Sequence, residues 1–359
     1  MEMPLFTIPA VKRAAQAQEG QARVEARFHA QAEAVLEKQT RDGKPFWELT
    51  VADAEAKLTL RAWSDSPAFA YCAALAPGTF LEIEGEFAQH PAFGVEARQW
   101  SCRELEATEV EHLLGGPEAL QKKQECDFQA ILEAISGITD PRLHALCELF
   151  LEDFGDRFRR TAAARTYHHA RRGGLVEHVA QMLRAAQALA EVYPTLNRDL
   201  LVTGAFFHDI GKLWENCPEP RGFAMPYDER GELIGHIAIG IETLNALWRK
   251  LLTPERTAAW AGLVPTNDEV RNHLIHLIAA HHGEMAFGSP VFPKTPEAAA
   301  LHYLDNLDAK LEMMFAGYQT GTPLAAHIVE RVRPLPANLV LPLQKYLPPL
   351  SEGGGEDLP

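Results

Sequence analysis

The amino-acid sequence predicts a multi-domain α+β protein in which a small five-stranded β-barrel precedes an all-α domain. Two patterns predict this division: short alternating runs fill residues 24–103, and helical periodicity extends from about residue 127 to 333. A third observation concerns function. Ten of the fifteen histidines lie between His168 and His302. The chain has 359 residues, 47% of them hydrophobic and 23% charged, which is the composition of an ordinary globular protein.

Changes in these patterns set the predicted domain boundaries. The order is an N-terminal extension at 1–19, the barrel at 20–105, a connector at 106–126, the helical domain at 127–333 and a Pro-rich tail at 334–359. We expect the tail to be disordered, because its prolines and its Gly-rich end cannot build a packed core.

The N-terminal runs have the two-residue period of strands with one buried face. Turn signals such as Asp42-Gly43 and Pro77-Gly78 separate them. Five such strands suit a small barrel, although alternation alone does not distinguish one type of five-stranded barrel from another. Aromatic residues of this region either fill the core or stack on single-stranded bases. They are Phe46, Trp47, Trp63, Phe80, Phe87 and Trp100.

Net charge, cysteine distribution and hydrophobic runs argue against several classes of protein. The net charge is −15, so any surface that binds a polyanion must be local. The five cysteines occur singly, which argues against a disulfide framework and against a cysteine zinc site. No apolar run reaches the roughly 18 residues of a membrane span, and the N-terminus lacks the pattern of a signal peptide. We therefore expect a cytoplasmic protein that does not bind membranes.

The histidines occur in an order typical of a metal site. Along the chain the members are His178, His208, Asp209, His236, His276, His281, His282, His302, Asp305 and Asp308. They lie on, or at the ends of, apolar helical segments, and imidazole combined with carboxylate suits divalent first-row metals. We expect two divalent ions, with Mn²⁺ as the first choice and Fe, Ni, Co, Mg or Zn as alternatives.

Asp209 is the candidate bridge between two ions. Neighbouring residues cannot share one face of a helix, so a helix must end at His208 and Asp209, with Gly211 as its terminator. Two ions about 3.5 to 4 Å apart activate a water molecule for attack on phosphorus. Lys212 is either a solvated lysine or a cation that stabilises the transition state. Asp209 and Lys212 are the candidate catalytic residues.

The histidine series resembles the HD-domain metal-dependent phosphohydrolases, whose core ligands are His, His-Asp and Asp. By motif, the resemblance implies that the first ion is held by His178, His208, Asp209 and Asp305. The residues that resemble the second-ion histidines of binuclear members are His236, His281 and His282.

More narrowly, the motifs H-H-A-x-x-G-G-L-x-E-H, H-D-I-G-K, G-H-I, H-H-G and L-D-N-L-D resemble the YhaM family of 3′-to-5′ exoribonucleases. The resemblance covers roughly residues 20–330 and implies an OB-fold barrel followed by an HD domain. The chain departs from the family pattern at Arg171 and Val179, where Tyr and Thr are expected. Neither position is a metal ligand, so the departure concerns the substrate side of the site.

A basic segment precedes His178. Six arginines and no acidic residue occur within sixteen positions, namely Arg157, Arg159, Arg160, Arg165, Arg171 and Arg172. Such a cluster is either a solvated face or a guide for a polyanion. The candidate substrate-binding residues are Arg165, Arg171, Arg172, His168 and His169. The sequence does not decide whether the two histidines contact phosphate or orient the first helix.

Three functions are compatible with these residues. The leading one is a metal-dependent exonuclease that degrades single-stranded RNA, with DNA left open, from the 3′ end. The alternative is an HD phosphohydrolase of a small nucleotide (a dNTP, a cyclic dinucleotide or an alarmone) with a regulatory barrel. The third is a non-catalytic nucleic-acid-binding protein with a structural metal, which the complete ligand set disfavours. Whether the protein forms a homo-oligomer is also left open.

Overall fold

The structure, a computed structural model, describes residues 3–17, 23–90, 94–166 and 169–345. The chain divides into two units, Met1–Glu312 and Met313–Pro359. The first unit holds an N-terminal sheet and a helical bundle, and the second holds a small sheet. An N-terminal strand-rich region followed by a helical domain is therefore confirmed.

The alternating N-terminal runs form a six-stranded sheet. Its strands are β1 (Leu5–Phe6), β2 (Val24–Gln39), β3 (Pro45–Ala52), β4 (Lys57–Trp63), β5 (Phe80–His90) and β6 (Gly94–Glu104). The order β4-β3-β2-β5-β6 is antiparallel throughout, and β1 pairs with β2 in parallel. β2 is long because its first half pairs with β5 and its second half pairs with β3, with a bulge between Ala32 and Ala34.

The predicted closed barrel is not present in the described part of the chain. No backbone ladder joins β4 to β6 among the described residues. Instead, the Trp100 indole donates to the Arg61 carbonyl at 3.1 Å, and the helix α2 (Pro67–Ala74) packs against both edge strands. A Cβ at Gly85 would lie 2.6 Å from that of Trp100, so only glycine lets β6 approach β5 this closely. A helix and a side-chain bond thus occupy the place of the closing ladder.

Part of the predicted N-terminal extension belongs to this domain. The helix α1 (Ile8–Gln16) buries Ile8, Val11 and Ala15 in the core of the sheet. Its first amide donates to the Asp53 carboxylate at 2.6 Å. The described part of the extension is therefore a packed element of the sheet domain.

Most of the candidate aromatic residues fill the core. Phe87 and Trp100 are fully buried, Phe46 nearly so, and Trp47 and Phe80 are partly buried. Trp63 is 39% exposed and lies against Phe46 at a centroid distance of 4.9 Å. Of the six rings, Trp63 is therefore the one that presents most surface to a ligand.

The helical part begins earlier than predicted. Its helices are α3 (Ala107–Gly115), α4 (Glu118–Ser136), α5 (Pro141–Arg160), α6 (Gly174–Val192), α7 (Arg198–Phe207), α8 (Lys212–Glu215), α9 (Glu229–Leu251), α10 (Pro254–Trp260), α11 (Asn267–Ala280) and α12 (Pro296–Thr320). The predicted start at residue 127 lies inside α4, which packs on α6, so most of the predicted connector is helical. None of the described helices is long and apolar enough to cross a membrane.

Aromatic packing fixes the end of α7. Phe150 lies 5.4 Å from the rings of both Phe206 and Phe207, and Phe158 lies 5.6 Å from Phe206. Such edge contacts lock side-chain positions in the core. Because Phe206 and Phe207 form the last turn of α7, this packing positions the two residues that follow it.

The second unit differs from the sequence prediction. Beyond Thr320 the chain forms β7 (Pro323–Ala325), β8 (Ile328–Val329) and β9 (Leu339–Val340), where helix was predicted up to residue 333. β9 lies in the predicted disordered tail and is ordered because it pairs with β8 over a small apolar cluster. The tail from residue 346 onward lies outside the described residues.

Candidate metal centre

His178 lies in the first turns of α6 and is fully buried. The helix begins after Gly173, which adopts a left-handed φ of 77°. A Cβ at Gly174 would overlap the His169 carbonyl oxygen. The two glycines of the sequence motif therefore permit the tight turn that brings His169 beside His178.

His208 and Asp209 follow the end of α7, as predicted. Both are buried, and α7 ends at Phe207. Gly211 has a different role from the predicted one, because a Cβ there would overlap the His236 carbonyl oxygen. This glycine lets the turn after α7 approach α9.

The other histidines come from a kink and a helix end. α9 is kinked at Gly235 (φ 78°, ψ 155°), immediately before His236. α11 ends at Ala280, so His281 and His282 follow it directly. The helix α12 supplies Asp305. Four separate segments of the bundle therefore converge on the turn that carries Asp209.

The first group of ligand atoms surrounds the Nε2 atoms of His178 and His208. These two atoms lie 3.1 Å apart. Asp209 Oδ2 lies 3.6 Å from that of His178 and 3.3 Å from that of His208. Asp305 Oδ1 lies 3.4 Å and 3.8 Å from the same two atoms. Four potential ligands thus face one point.

The second group lies on the other side of Asp209. Ring nitrogens of His236, His281 and His282 lie within 4.8 Å of one another. The Nε2 atoms of His236 and His281 are each 3.7 Å from Asp209 Oδ1. Asp209 therefore faces the two groups with different oxygens.

The buried polar atoms of these groups fit divalent metal ions. Asp209 Oδ1, His236 Nε2 and His281 Nε2 are buried and receive no hydrogen bond from any described residue. Burying such atoms without a partner is costly, and a cation is the partner that they share. Borderline imidazole and carboxylate donors suit Mn²⁺ and its first-row neighbours.

The hydrogen bonds of the Nδ1 atoms of these histidines also support metal binding. Nδ1 of His208 lies 2.8 Å from the Ala205 carbonyl, and Nδ1 of His281 lies 2.7 Å from the Ile278 carbonyl. A carbonyl only accepts, so each Nδ1 carries the proton and each Nε2 presents a lone pair. His282 has the same arrangement toward the Phe287 carbonyl. Metal-ligating histidines in proteins are oriented in this way.

Electrostatics favour the ligating forms of these side chains. Burial opposes ionisation of Asp209, but Lys212 and His208 hold the pKa of this carboxyl well below its usual range. Lys212 Nζ donates to Asp209 Oδ2 at 2.6 Å, so this lysine belongs to the site and is not a solvated residue. Burial lowers the pKa of His281 well below its usual range, so its imidazole is neutral at pH 7.

The arginines predicted to bind substrate instead bind the protein. Arg165 and Arg172 donate to backbone carbonyls of the loop 215–226. Arg171 makes a two-bond pair with the buried Glu177 carboxylate at 2.9 and 2.5 Å. Their donors satisfy internal acceptors, so in this structure they form no open basic path to the metal centre.

The two predicted substrate histidines have different outcomes. His168 lies outside the described residues. His169 is only 2% exposed, and its ring lies 3.3 Å from Asp308, 4.0 Å from Glu177 and 3.9 Å from Glu312. Three carboxylates around a buried ring are unsuited to phosphate, so the structure favours the alternative that His169 orients the first helix.

Two acidic residues contact the histidines of these groups from outside, and only Asp308 belongs to the series named from the sequence. Asp308 Oδ2 lies 2.7 Å from His178 Nδ1, and Glu215 Oε2 lies 3.3 Å from His236 Nδ1. Asp308 stands three residues after Asp305, the spacing that places two side chains on one helix face, and the sequence included it in the series without assigning it a role. Glu215 has no comparable sequence signal, because its contact depends on the kink of α9.

Comparison with known proteins agrees with this geometry. Residues 175–310 match the HD domain, and this span contains both groups of ligands. The chain is 30% identical over 276 residues to the 3′-5′ exoribonuclease YhaM of Geobacillus sp. (strain WCH70), and the match covers 76% of this chain and 78% of that protein. HD domains bind divalent metals, which the two groups of ligands fit. The chain therefore belongs to the YhaM family of 3′-to-5′ exoribonucleases and is a hydrolase that acts on phosphodiester bonds.

Proposed function

We propose that the protein is a metal-dependent exonuclease that degrades single-stranded RNA from its 3′ end. The observation that carries this proposal is the pair of buried ligand groups that share Asp209. A similar protein bears the name 3′-5′ exoribonuclease, and phosphodiester hydrolysis needs the charge compensation that such a centre supplies.

Two divalent ions, with Mn²⁺ as the first choice, fit the donor set. One would be held by His178, His208, Asp209 and Asp305. The other would be held by Asp209, His236, His281 and His282. Ions bound there would lower the pKa of a water molecule and neutralise charge on the scissile phosphate.

Lys212 supplies a positive charge beside Asp209. Its ammonium lies against Asp209 in a buried setting, where electrostatic interactions are stronger than in water. It fixes the carboxylate that faces both ligand groups, and it is close enough to the centre to stabilise negative charge on the phosphate. Asp209 and Lys212 are therefore the residues that we assign to the chemistry.

We also propose that the N-terminal sheet is a partly open OB-type barrel that holds the RNA strand. Its five long strands in the order β4-β3-β2-β5-β6 support this assignment. OB domains bind oligonucleotides across the second and third strands and the loops beside them. A groove of about 1180 Å³ lies at the corresponding place, and it is lined by Lys44, Arg61, Trp63 and Arg98 among others.

The contact between sheet and bundle sets the geometry of this binding mode. Phe223 of the loop after α8 packs against Ala52 and Ala54, and the Gln31 side chain accepts the Phe223 amide at 2.7 Å. Ala52 is at the opposite end of β3 from the groove. Seven residues of strand span about 23 Å, so a bound chain would need several nucleotides to extend from the groove toward the bundle.

A digestion panel tests the proposal. The full-length protein with Mn²⁺ is incubated with 5′-labelled single-stranded RNA, single-stranded DNA, duplex RNA, dNTPs and cyclic dinucleotides. We expect a ladder of labelled RNA that shortens from the 3′ end, released nucleoside 5′-monophosphates, and no ladder from the Asp209→Ala variant. Intact RNA together with hydrolysed dNTPs or cyclic dinucleotides would replace the proposal with the small-nucleotide alternative.

A further inference from the structure

Asp308 contacts two imidazole rings through one oxygen. Its Oδ2 lies 2.7 Å from His178 Nδ1 and 3.3 Å from His169 Nε2. We propose that Asp308 and His169 are positioning residues that hold His178 in the tautomer and orientation that bind the first ion. This inference rests on the metal centre of the proposed function and does not depend on the identity of the substrate.

The contact between Asp308 and His178 determines the tautomer of His178. An ionised carboxylate only accepts hydrogen bonds, so Nδ1 carries a proton, and in the neutral ring Nε2 is then the nitrogen whose lone pair can bind a metal ion. That Nε2 faces His208 at 3.1 Å and Asp305 at 3.4 Å. A carboxylate partner also raises the basicity of a ligating imidazole, and such partners contribute strongly to metal affinity.

His178 differs from its neighbours in this partner. His208 and His281 are oriented by backbone carbonyls within three residues of themselves, so their orientation follows from their own helix end. The partner of His178 comes from α12, 130 residues away in the sequence. The same helix carries Asp305, so Asp308 ties the orientation of one ligand to the position of another.

The backbone of His169 supports its role as the second support of Asp308. His169 has a φ of 47°, a left-handed conformation that residues other than glycine rarely adopt. Its carbonyl accepts the Arg171 amide at 2.9 Å and approaches Gly174 too closely for any side chain there. The turn thus holds the buried ring of His169 against Asp308, next to the His178 ring at a centroid distance of 5.8 Å.

Mn²⁺ binding to the full-length protein tests this inference without substrate. The affinities of the two ions are measured by equilibrium dialysis and by electron paramagnetic resonance of free Mn²⁺. Asp308→Ala is expected to weaken one of the two ions by about 10- to 100-fold and to leave the other unchanged. Asp308→Asn keeps an accepting oxygen but no charge. Its affinity for that ion is expected to lie between the affinities of the wild type and of Asp308→Ala. Lys310→Ala is the matched control, since Lys310 is an exposed residue of the same helix.

A second variant separates positioning from a general loss of structure. His169→Gly suits the left-handed backbone and leaves a cavity, so the variant is expected to fold and to bind the same ion more weakly. Added imidazole is expected to restore the affinity by refilling the cavity. Wild-type Mn²⁺ affinity in both Asp308→Ala and His169→Gly would overturn the inference. Unchanged affinity in His178→Ala would instead show that the metal assignment is wrong, and failure to cleave RNA alone would affect only the proposed substrate.

Discussion

Lys212 and Asp209 form a buried ion pair between the two ligand groups. The Lys212 ammonium donates to Asp209 Oδ2 at 2.6 Å, while Oδ1 receives no hydrogen bond from any described residue. Oδ2 also faces His178 and His208, and Oδ1 faces His236 and His281. One carboxylate therefore determines the electrostatics of both groups.

Replacing Asp209 should remove activity without removing the fold. Asp209→Ala deletes an oxygen from each ligand group, so we expect the rate of RNA hydrolysis to fall by at least about 10³-fold. Single-turnover rates and far-ultraviolet circular dichroism measure the two parts of this prediction. Asp268→Asn, at an exposed aspartate at the start of α11, is the control and should keep full activity. Substantial activity in Asp209→Ala would remove this residue from the chemistry.

The number of ions is tested at His236. Its Nε2 lies in the second group, so His236→Ala should reduce the bound metal from two ions per chain to one. The metal content of dialysed protein is measured by mass spectrometry. His276→Ala is the control, because His276 lies on α11 and accepts the Lys294 amide outside both groups. Two ions per chain in the His236 variant would show that the second group holds no ion.

The metal centre was largely predictable, because its residues are specified by local patterns. Adjacent ligands such as His208 and Asp209 require a helix end, and that end lies where it was predicted. Asp308 was named in the series without a role, although its spacing from Asp305 places both on one helix face. The sequence could not predict the role of Glu215, because its contact with His236 depends on the backbone kink at Gly235.

The arginines and the barrel show what sequence patterns leave undetermined. A run of arginines in the sequence shows where positive charge is concentrated. It does not show which acceptor groups bind those arginines in the fold. In the fold, the loop 215–226 has carbonyls without a regular secondary-structure partner, and Arg165 and Arg172 satisfy them. Alternation likewise predicts strands but not closure, which here depends on the placement of α2. Both cases depend on partners that are distant in the sequence.

Arg171 should prove a stability residue and not a substrate contact. Arg171→Ala removes the two-bond partner of a fully buried carboxylate, Glu177, which keeps hydrogen bonds from Lys123 and Gln124. Breaking a buried ion pair lowers the free energy of unfolding by about 3 to 5 kcal/mol. Because two partners of Glu177 remain, we expect a decrease near the lower end of this range. Urea unfolding of the metal-free protein measures it. Arg184→Ala, at a half-exposed arginine paired with Asp127, is the control, with an expected loss of about 1 kcal/mol or less.

Glu177 should also make stability sensitive to acid. Burial opposes its ionisation, but Arg171 and Lys123 lower its pKa to about 2 from a usual value of 4.5. Because the folded pKa is depressed, this contribution is complete above about pH 4.5 and is lost as the pH falls toward 2. The free energy of unfolding, measured from pH 6 to 3, should decrease less steeply in Glu177→Gln than in the wild type. An equal slope in the two proteins, with Glu118→Gln as the exposed control, would contradict the assignment.

The groove of the N-terminal sheet should bind long strands and contribute little to chemistry. Trp63 is the most exposed of the six candidate rings, and Arg98 lines the same groove. Stacking of one base contributes about 1 to 3 kcal/mol, so Trp63→Ala should raise the KM for a long RNA while leaving kcat unchanged. A dinucleotide, which is too short to reach both sites, should show no change. Leu36→Ala, an exposed apolar residue of β2 outside the groove lining, is the control.

Salt dependence completes the test of this groove. If Arg98 neutralises one phosphate, Arg98→Ala should reduce the slope of log affinity against log salt by about 0.7 for single strands. The Arg171→Ala variant should keep the wild-type slope, because its guanidinium is paired with Glu177. Fluorescence anisotropy of a labelled single strand at several salt concentrations gives both slopes. A slope that changes in Arg171→Ala but not in Arg98→Ala would place the RNA path along the basic segment and not across the sheet.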